Sequence, residues 1–457
     1  MLHMSKLAIV AIVLIASASG YSVAGAQDRG NSHGSPRSNP VLHWNRVAIE
    51  ILTVEAGPVL DSRAMTILHA AVHDALNGIE RRYEPYTADL ASTDANGSGG
   101  GAGASLEAAV ASAAREVLIP FTLDAARRER IEQEYAKALA SVPDGPAEDQ
   151  GVALGQQAAR ANLERRANDR ITPAPWPPRE GPITEPVYVP TGKPGDYDFT
   201  PPFDVPPLGP LALFPGWGRL TPFVIDLSRH RLDGPDPLTS KRYARDLNFL
   251  KSHGRLESTT RTADQTATAF FWFEAFGLWN DIARTVIERQ GLNPWRAARI
   301  LALLNFALAD SGIACLDAKY RFRFWRPYTA IRRAGEDGND RTEPDPDWLP
   351  LLWTPLDKPP MFIIPPIPDY PSAAADTSAA AAEVLTVHLG DRAGFEITSP
   401  TLPGATRRFK SFWQAAREAG MSRVYGGIHF VHAVEDGWAH GKGIGRTVSR
   451  ALPPVRR

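Results

Sequence analysis

The stretch NPWRAARILALLNFALADSGIACLDAKYRFRFWRP, residues 293–327, opens on Asn293-Pro294, runs apolar through Leu301, Leu304 and Leu308, and closes in a cluster of cations. Asn before a helix caps its free amides, and Pro at the first helical position loses no hydrogen bond, so the pattern predicts a helix from here to Lys319. Arg326-Pro327 then lies one extended turn further on, which lets Lys319 and Arg326 face one point. Arg offers a planar fork of donors suited to a tetrahedral oxyanion, and Lys contributes a mobile point charge. Taken alone, Arg321, Arg323 and Arg326 are explained as well by a solvated basic surface.

The segments upstream are helical too. Trp44 to about Glu55 and Leu60 to Glu80 carry apolar residues at helical spacing, among them Met65, Leu68, Val72, Leu76 and Ile79. A Gly/Ala/Ser loop at Asn96 to Gly103 precedes Leu106 to Leu118, Leu123 to Val142 and Ala147 to Asn168, all rich in strong helix formers. Between Thr172 and Pro222 the composition turns to Pro, Gly and aromatics, which predicts an extended connection wrapped over the surface. Helices resume at about Ser240 to Ser252, with Gly254 as a stop. Thr262 and Gln265 form a capping-box start for one long aromatic helix, through Phe270, Trp272, Phe273, Phe276 and Trp279 to about Arg289. No series of alternating strands and no fixed-period repeat occurs, so the fold class is all-α. The division expected is a leader at 1–26, an N-terminal helical half at 27–171, a Pro-rich connection at 172–236 and a C-terminal bundle at 237–457.

Two further blocks share the chemistry of the first. Ser372, after the Pro-rich run Pro355 to Pro371, is placed to cap a helix from Ala373 to about Leu389 that Gly390 closes. A helix start offers free N–H groups and the positive end of the dipole to an anion, although Ser372 as a plain cap explains the pattern as well. The third block, SRVYGGIH at residues 422–429, sets Arg423 and His429 around Gly426-Gly427, whose missing side chains would let the backbone approach a ligand.

The whole chain sets outer limits. Its 457 residues carry a formal net charge of -1, which lacks the cationic excess that binding to a nucleic-acid backbone requires. Lys6, the apolar run Leu7 to Ala16 and Ala24-Gly25-Ala26 read as a secretory signal peptide, so the mature chain from Gln27 is expected to be exported, periplasmic or extracellular. No later segment reads as long and apolar enough to span a membrane. Cys315, the one cysteine, cannot form an intramolecular disulfide and reads as a buried, inert thiol. His69 and His73 stand at i and i+4, but Ala70 replaces the Glu of an HExxH zinc motif, so they read as structural.

In order and spacing the three blocks resemble the vanadium haloperoxidase and type 2 phosphatidic acid phosphatase superfamily, whose pattern is KxxxxxxRP, then PSGH, then SRxxxxxHxxxD. Trp44-Asn45, the helix from Ile67 to Asn77, Thr262 to Gln265 and Ala309 to Gly312 look like its soluble bacterial haloperoxidase-like branch. The resemblance implies paired helical bundles and a site that holds vanadate, with phosphate able to occupy the same place. It implies Lys319, Arg326, Ser372, Ala373 and Arg423 as anion-binding residues, and His429 as the vanadium ligand or the nucleophile. Its substrates would be peroxide and halide, or a phosphate ester.

This chain departs from the pattern at two points. Ala374 stands where the family has its acid–base His, and a methyl group transfers no proton. Ala433 stands where the family has the last Asp, with Glu435 and Asp436 as candidate substitutes. His432, read as sharing a helical face with His429, and His440 are the imidazoles nearest in sequence that could replace the lost one; as the alternative, His432 is a polar residue on a helix surface. Asp376 adds a carboxylate near the expected anion. Four readings follow: an impaired haloperoxidase, an acid phosphatase working through phospho-His429, an inactive oxyanion- or partner-binding pseudoenzyme, and a rearrangement that uses the pocket without a metal.

Overall fold

A computed structural model describes residues 39–52, 58–87, 90, 101–171, 182–206, 208–273, 275–354 and 363–455. The expected signal peptide, most of the leader after it, the loop up to residue 100 and the run Pro173 to Pro178 lie outside these residues. The described chain is all-α apart from one antiparallel hairpin, β1 (Phe395–Thr398) with β2 (Thr406–Phe409).

The chain forms two compact units that interleave in sequence instead of following one another. The first comprises residues up to 176, 283–305 and 450–457, and the second 177–282 and 306–449. The first unit holds α1 (Pro40–Leu52), α2 (Pro58–Ile79), α3 (Leu106–Phe121), α4 (Ala125–Leu139) and α5 (Pro146–Arg165). Helices α3 and α5 meet at Gly151 and Gly155, where a Cβ would stand 2.5 Å from the Ser105 carbonyl oxygen and 2.4 Å from that of Ala109. In α2, His69 Nε2 lies 2.7 Å from Asn45 Nδ2, and His73 Nε2 meets the Glu84 carbonyl at 3.1 Å. Asp74 accepts from the amides of Tyr86 and Thr87 and from Asn162. The His/Asp run of α2 therefore ties this unit together.

The second unit holds α6 (Lys241–His253), α7 (Ala263–Phe271), α10 (Pro327–Arg332), α11 (Ala373–Leu389), α12 (Phe412–Tyr425) and α13 (Val431–Val448). Helices α8 (Ala275–Arg289) and α9 (Pro294–Phe322) each contribute residues to both units. The capping box at Thr262 and Gln265 forms in both directions. The long aromatic helix expected after it, however, is two helices, α7 ending at Phe271 and α8 starting at Ala275. The carbonyls of Trp272 and Phe273 at this break accept from Arg423, at 2.6 and 3.0 Å.

Two other expectations are corrected. Helix α9 is 29 residues long and is apolar enough to cross a membrane, but its apolar window is almost wholly buried, as in a core helix. The Pro-rich connection does not merely cover the surface, since Tyr197, Phe203, Leu213, Phe214, Trp217 and Phe223 are buried. Its amides find a side-chain acceptor in α9: Asp310 takes those of Phe223, Val224 and Ile225 at 2.6, 2.8 and 3.0 Å. A segment that cannot form a ladder thus satisfies its backbone on a buried carboxylate.

Helices α11 and α13 pack along the glycine stripe Gly437, Gly441 and Gly445, spaced one turn apart. A Cβ at Gly441 would stand 1.9 Å from the Asp376 carbonyl oxygen, a backbone atom that cannot yield. Gly441→Ala is therefore expected to cost about 3 kcal/mol, the upper range for overpacking a core. Urea denaturation checks this, and an unchanged midpoint would contradict it.

Candidate functional site

The site is built around the chain reversal between α9 and α10. Lys319, on the last turn of α9, is fully buried and donates to the carbonyls of Pro368 and Asp369 at 2.8 and 2.7 Å. An ammonium has three donors, so one hydrogen is left for another acceptor. Arg326 caps α10 and is also fully buried. Its Nε donates to the Ile367 carbonyl at 2.7 Å, and its Nη1 to that of Ile428 at 2.8 Å. The two cations therefore hold the backbone leading into Ser372, and Arg326 also reaches the loop that carries His429. Arg323, by contrast, pairs with Asp196 at 2.9 Å on a partly exposed face, as the surface-charge reading has it.

His429 lies between α12 and α13. Helix α13 is capped by Phe430, so His429 stands before the helix and does not share a face with His432. Its Nε2 is 3.2 Å from Nη1 of Arg326, and its Nδ1 is 2.9 Å from Oδ1 of Asp369, close but not aligned for a hydrogen bond. Asp369 is the carboxylate that sequence reasoning missed. Ala433, at the family's Asp position, packs in the apolar core, Glu435 pairs with Arg242, and Asp436 accepts from the Tyr370 hydroxyl. The available signal was position, since Asp369 immediately precedes Tyr370-Pro371-Ser372.

Electrostatics assign the protonation. Burial pushes His429 down to about 3, with Arg326 and Lys319 acting in the same sense and Asp369 opposing. Burial alone would raise Asp369, but His429, Arg326 and Lys319 outweigh it and hold the carboxylate below its usual range. The pair is thus an ionised Asp369 beside a neutral His429. Arg326 Nη1 can only donate, so Nε2 is the acceptor and the ring proton sits on Nδ1, beside Asp369; Nε2 is the nitrogen whose lone pair could serve as ligand or nucleophile in exchange for that bond. Burial lowers Lys319 to about 8.

Ser372 caps α11 as expected, and Gly390 closes that helix with φ 89°. The Ser372 side chain, fully buried, makes no capping bond, and its Oγ has no partner. Nη2 of Arg326 is likewise buried without a partner. Ala373 and Ala374 form the first turn of α11, half-buried. Arg423 is linked to the His429 loop through its carbonyl, which accepts from Ile428 at 3.0 Å. Its guanidinium turns to the carbonyls of Trp272 and Phe273. Gly427, at φ +75, does not serve a ligand: a Cβ there would stand 2.3 Å from the Gly254 carbonyl oxygen. Lys319, Arg326 and His429 are therefore gathered with Asp369, while the Arg423 side chain engages the α7–α8 break.

The two candidate replacement histidines are buried pairs. His432 Nδ1 lies 2.6 Å from Asp246, which also caps α13, so His432 is not the surface residue of the alternative reading. His440 Nδ1 lies 2.6 Å from Asp376. Cys315 is buried, its Sγ 3.7 Å from the Pro371 carbonyl oxygen, and burial pushes its thiol up to about 12. Such a thiol is inert.

Residues 299–454 match the family described as VCPO second helical-bundle domain. Vanadium chloroperoxidase of Curvularia inaequalis is 25% identical over 491 positions, spanning 86% of this chain and 78% of that protein. The crystal structure of a bacterial vanadium-dependent iodoperoxidase superposes with a TM-score of 0.71 at 22% identity, covering 93% of this chain and 99% of the other. That of an apo bacterial vanadium-dependent chloroperoxidase gives 0.65 at 16% identity, covering 89% and 97%. The likeness to these solved structures carries the fold.

Proposed function

The chain belongs to the vanadium-dependent haloperoxidase superfamily, and we propose that its second unit binds a tetrahedral oxyanion, vanadate with phosphate as competitor, as a haloperoxidase of impaired rate. The observation that carries this reading is the pair of buried donors without protein acceptors, Arg326 Nη2 and Ser372 Oγ, in a site that also holds Lys319 and His429. Buried polar groups are rarely left unpaired, and an oxyanion supplies the acceptors these two lack. The donor set fits the group: two cations, a hydroxyl, the first amides of α11 at Ala373 and Ala374, and an imidazole whose Nε2 lone pair accepts from Arg326 Nη1.

When bound, vanadate supplies the Lewis acid that activates peroxide toward halide. Arg326 and Lys319 would balance its charge, and His429, its Nδ1 2.9 Å from Asp369, would present Nε2 to it in exchange for the bond from Arg326. What is absent is a proton carrier at Ala374, and general acid–base catalysis contributes about 10²–10⁴ in rate. Ala374→His is therefore expected to raise bromide oxidation by about 10² or more. A second reading, phosphate-ester hydrolysis through His429, is favoured by its neutral ring beside an ionised carboxylate, the arrangement of an activated nucleophile.

Vanadate titration of the chain and of Ala374→His, with bromide oxidation and phosphate-ester hydrolysis assayed on both, tests the proposal. Binding by both, with oxidation far faster in the variant, is the expected result. Phosphate-ester hydrolysis without bromide oxidation would favour the second reading, and failure of both proteins to bind vanadate would reject the site.

A further inference from the structure

The cations of the oxyanion site surround a carboxylate whose own hydrogen bonds are unmade. Asp369 is fully buried, and its Oδ1 lies 2.9 Å from Nδ1 of His429 and 3.7 Å from Nη1 of Arg326. Its backbone carbonyl accepts from Lys319 at 2.7 Å. Asp369 thus touches both cations and the imidazole of the site. Yet neither Oδ1 nor Oδ2 has a hydrogen-bond partner. Lys319 donates to the Pro368 and Asp369 carbonyls, and Arg326 donates to those of Ile367 and Ile428 and to the His429 ring. An ionised carboxylate offers about four acceptor positions, and a buried charged group left without donors bears its full desolvation cost.

This carboxylate constrains the anion in two ways. The first is charge. Lys319 and Arg326 are cations, Asp369 is an anion and His429 is neutral, so together they carry one net positive charge. The Arg423 guanidinium lies on the carbonyls of the α7–α8 break and is outside this balance. One positive charge is matched by a monoanion, whereas a dianion would leave uncompensated negative charge in a buried site. The second is hydrogen bonding. Arg326 Nη2 and the Ser372 hydroxyl lack acceptors, which every tetrahedral oxyanion has; Asp369 lacks a donor, which only an oxyanion bearing a proton has. Burial opposes the charge on Asp369, but His429, Arg326 and Lys319 outweigh it. Those three groups and Cys315 of α9 are the ones that face it.

We propose that Asp369 sets the specificity of the site for a protonated monoanion, dihydrogen phosphate or dihydrogen vanadate, by accepting the O–H of the anion, and that it turns sulfate away. Oδ1 stands beside the His429 ring and Arg326, which leaves Oδ2 for the anion. The proton stays on the anion throughout, and Asp369 accepts only a hydrogen bond. Sulfate has the same tetrahedral shape and no proton near neutrality. It would set a bare oxygen against a buried carboxylate, a contact between like charges with no hydrogen to bridge it.

The inference rests on the oxyanion reading, and its test separates the two. Calorimetry is run at pH 6, where phosphate is mainly the monoanion and Lys319, lowered only to about 8, is protonated. The parent chain is expected to bind inorganic phosphate about 100-fold more tightly than sulfate. Asp369→Asn keeps the shape of the side chain, removes its charge and adds an amide donor. It is expected to bind sulfate about tenfold more tightly than the parent does, and phosphate about tenfold more weakly. The opposite signs matter, because a carboxylate that only orients His429 would move both affinities in one direction. The preference of the parent is measured without any variant, so the test survives an Asp369→Asn chain that fails to fold. Equal affinity of the parent for the two anions, a preference for sulfate, or parallel shifts in Asp369→Asn would overturn the inference and leave the oxyanion reading standing. Absence of phosphate and vanadate binding by the parent would overturn the reading beneath it.

Discussion

An Arg326→Ala chain is expected to lose about 3–5 kcal/mol of stability, the range for removing one partner of a buried charge pair, and to bind phosphate or vanadate about 100-fold more weakly. Both effects follow from one guanidinium with four tasks. Its Nε and Nη1 satisfy the carbonyls of Ile367 and Ile428, and Nη1 also stands 3.7 Å from Oδ1 of Asp369 and 3.2 Å from the His429 ring. Truncation leaves two carbonyls without their donor and a buried carboxylate without its nearest cation. The affinity loss arises separately from Nη2, the arm with no protein acceptor, because a hydrogen bond to a charged group contributes about 1.5–3 kcal/mol. Arg326→Lys separates the terms: the charge remains, but one ammonium cannot serve Ile367, Ile428 and an anion together. Urea denaturation reads the first effect and phosphate calorimetry the second. An alanine variant as stable as its parent, with the same phosphate affinity, would rule out Arg326 as the centre of the site.

Much of this arrangement was legible because it depends on local chemistry. The Gly390 amide closes α11 on the Thr386 carbonyl, the Thr262 and Gln265 box forms, and Asn293 Oδ1 accepts from the Arg296 amide at 3.0 Å. Each of these bonds spans three or four residues. What sequence could not supply was long-range pairing. Asp369 reaches His429 because Lys319 and Arg326 bind the carbonyls of residues 367–369, and no spacing rule encodes a side chain gripping a distant backbone. His432 was misread because its interval from His429 fits a helical turn, although the helix begins only after Phe430. The break after Phe271 was hidden for a related reason: an apolar pattern continues across residues whose carbonyls answer to Arg423.

Acid is expected to destabilise the first unit steeply, by about 2.7 kcal/mol per pH unit between pH 6 and pH 5. Two buried imidazoles of α2 set the slope. Burial, reinforced by the charge of Arg284, pushes His69 to about 3. Burial also pushes His73 to about 4, against the opposing pull of its bond to the Glu84 carbonyl. Both folded values lie below the unfolded value of about 6.5, so the unfolded chain binds more protons at acid pH. The stabilisation is therefore complete above pH 6.5 and is lost as pH falls toward the folded values, each ring contributing about 1.4 kcal/mol per pH unit within that window. Taken to pH 3–4 the loss is of order 8 kcal/mol, comparable with the whole stability of a domain. In the second unit His429 and the half-buried His230 act with the same sign, and His440 has the opposite sign: its folded value is raised, so its contribution is present below pH 6.5, is lost at higher pH and offsets part of theirs. Amide hydrogen exchange followed by mass spectrometry, peptide by peptide, is expected to show protection in α2 falling sharply from pH 7 to pH 5, after correction for intrinsic rates, and protection in α11 and α12 falling less. His69→Gln and His73→Gln should each flatten the fall in α2, since a neutral amide has no proton to gain. Protection in α2 that stays constant across this range would mean that these rings already accept protons in the folded chain.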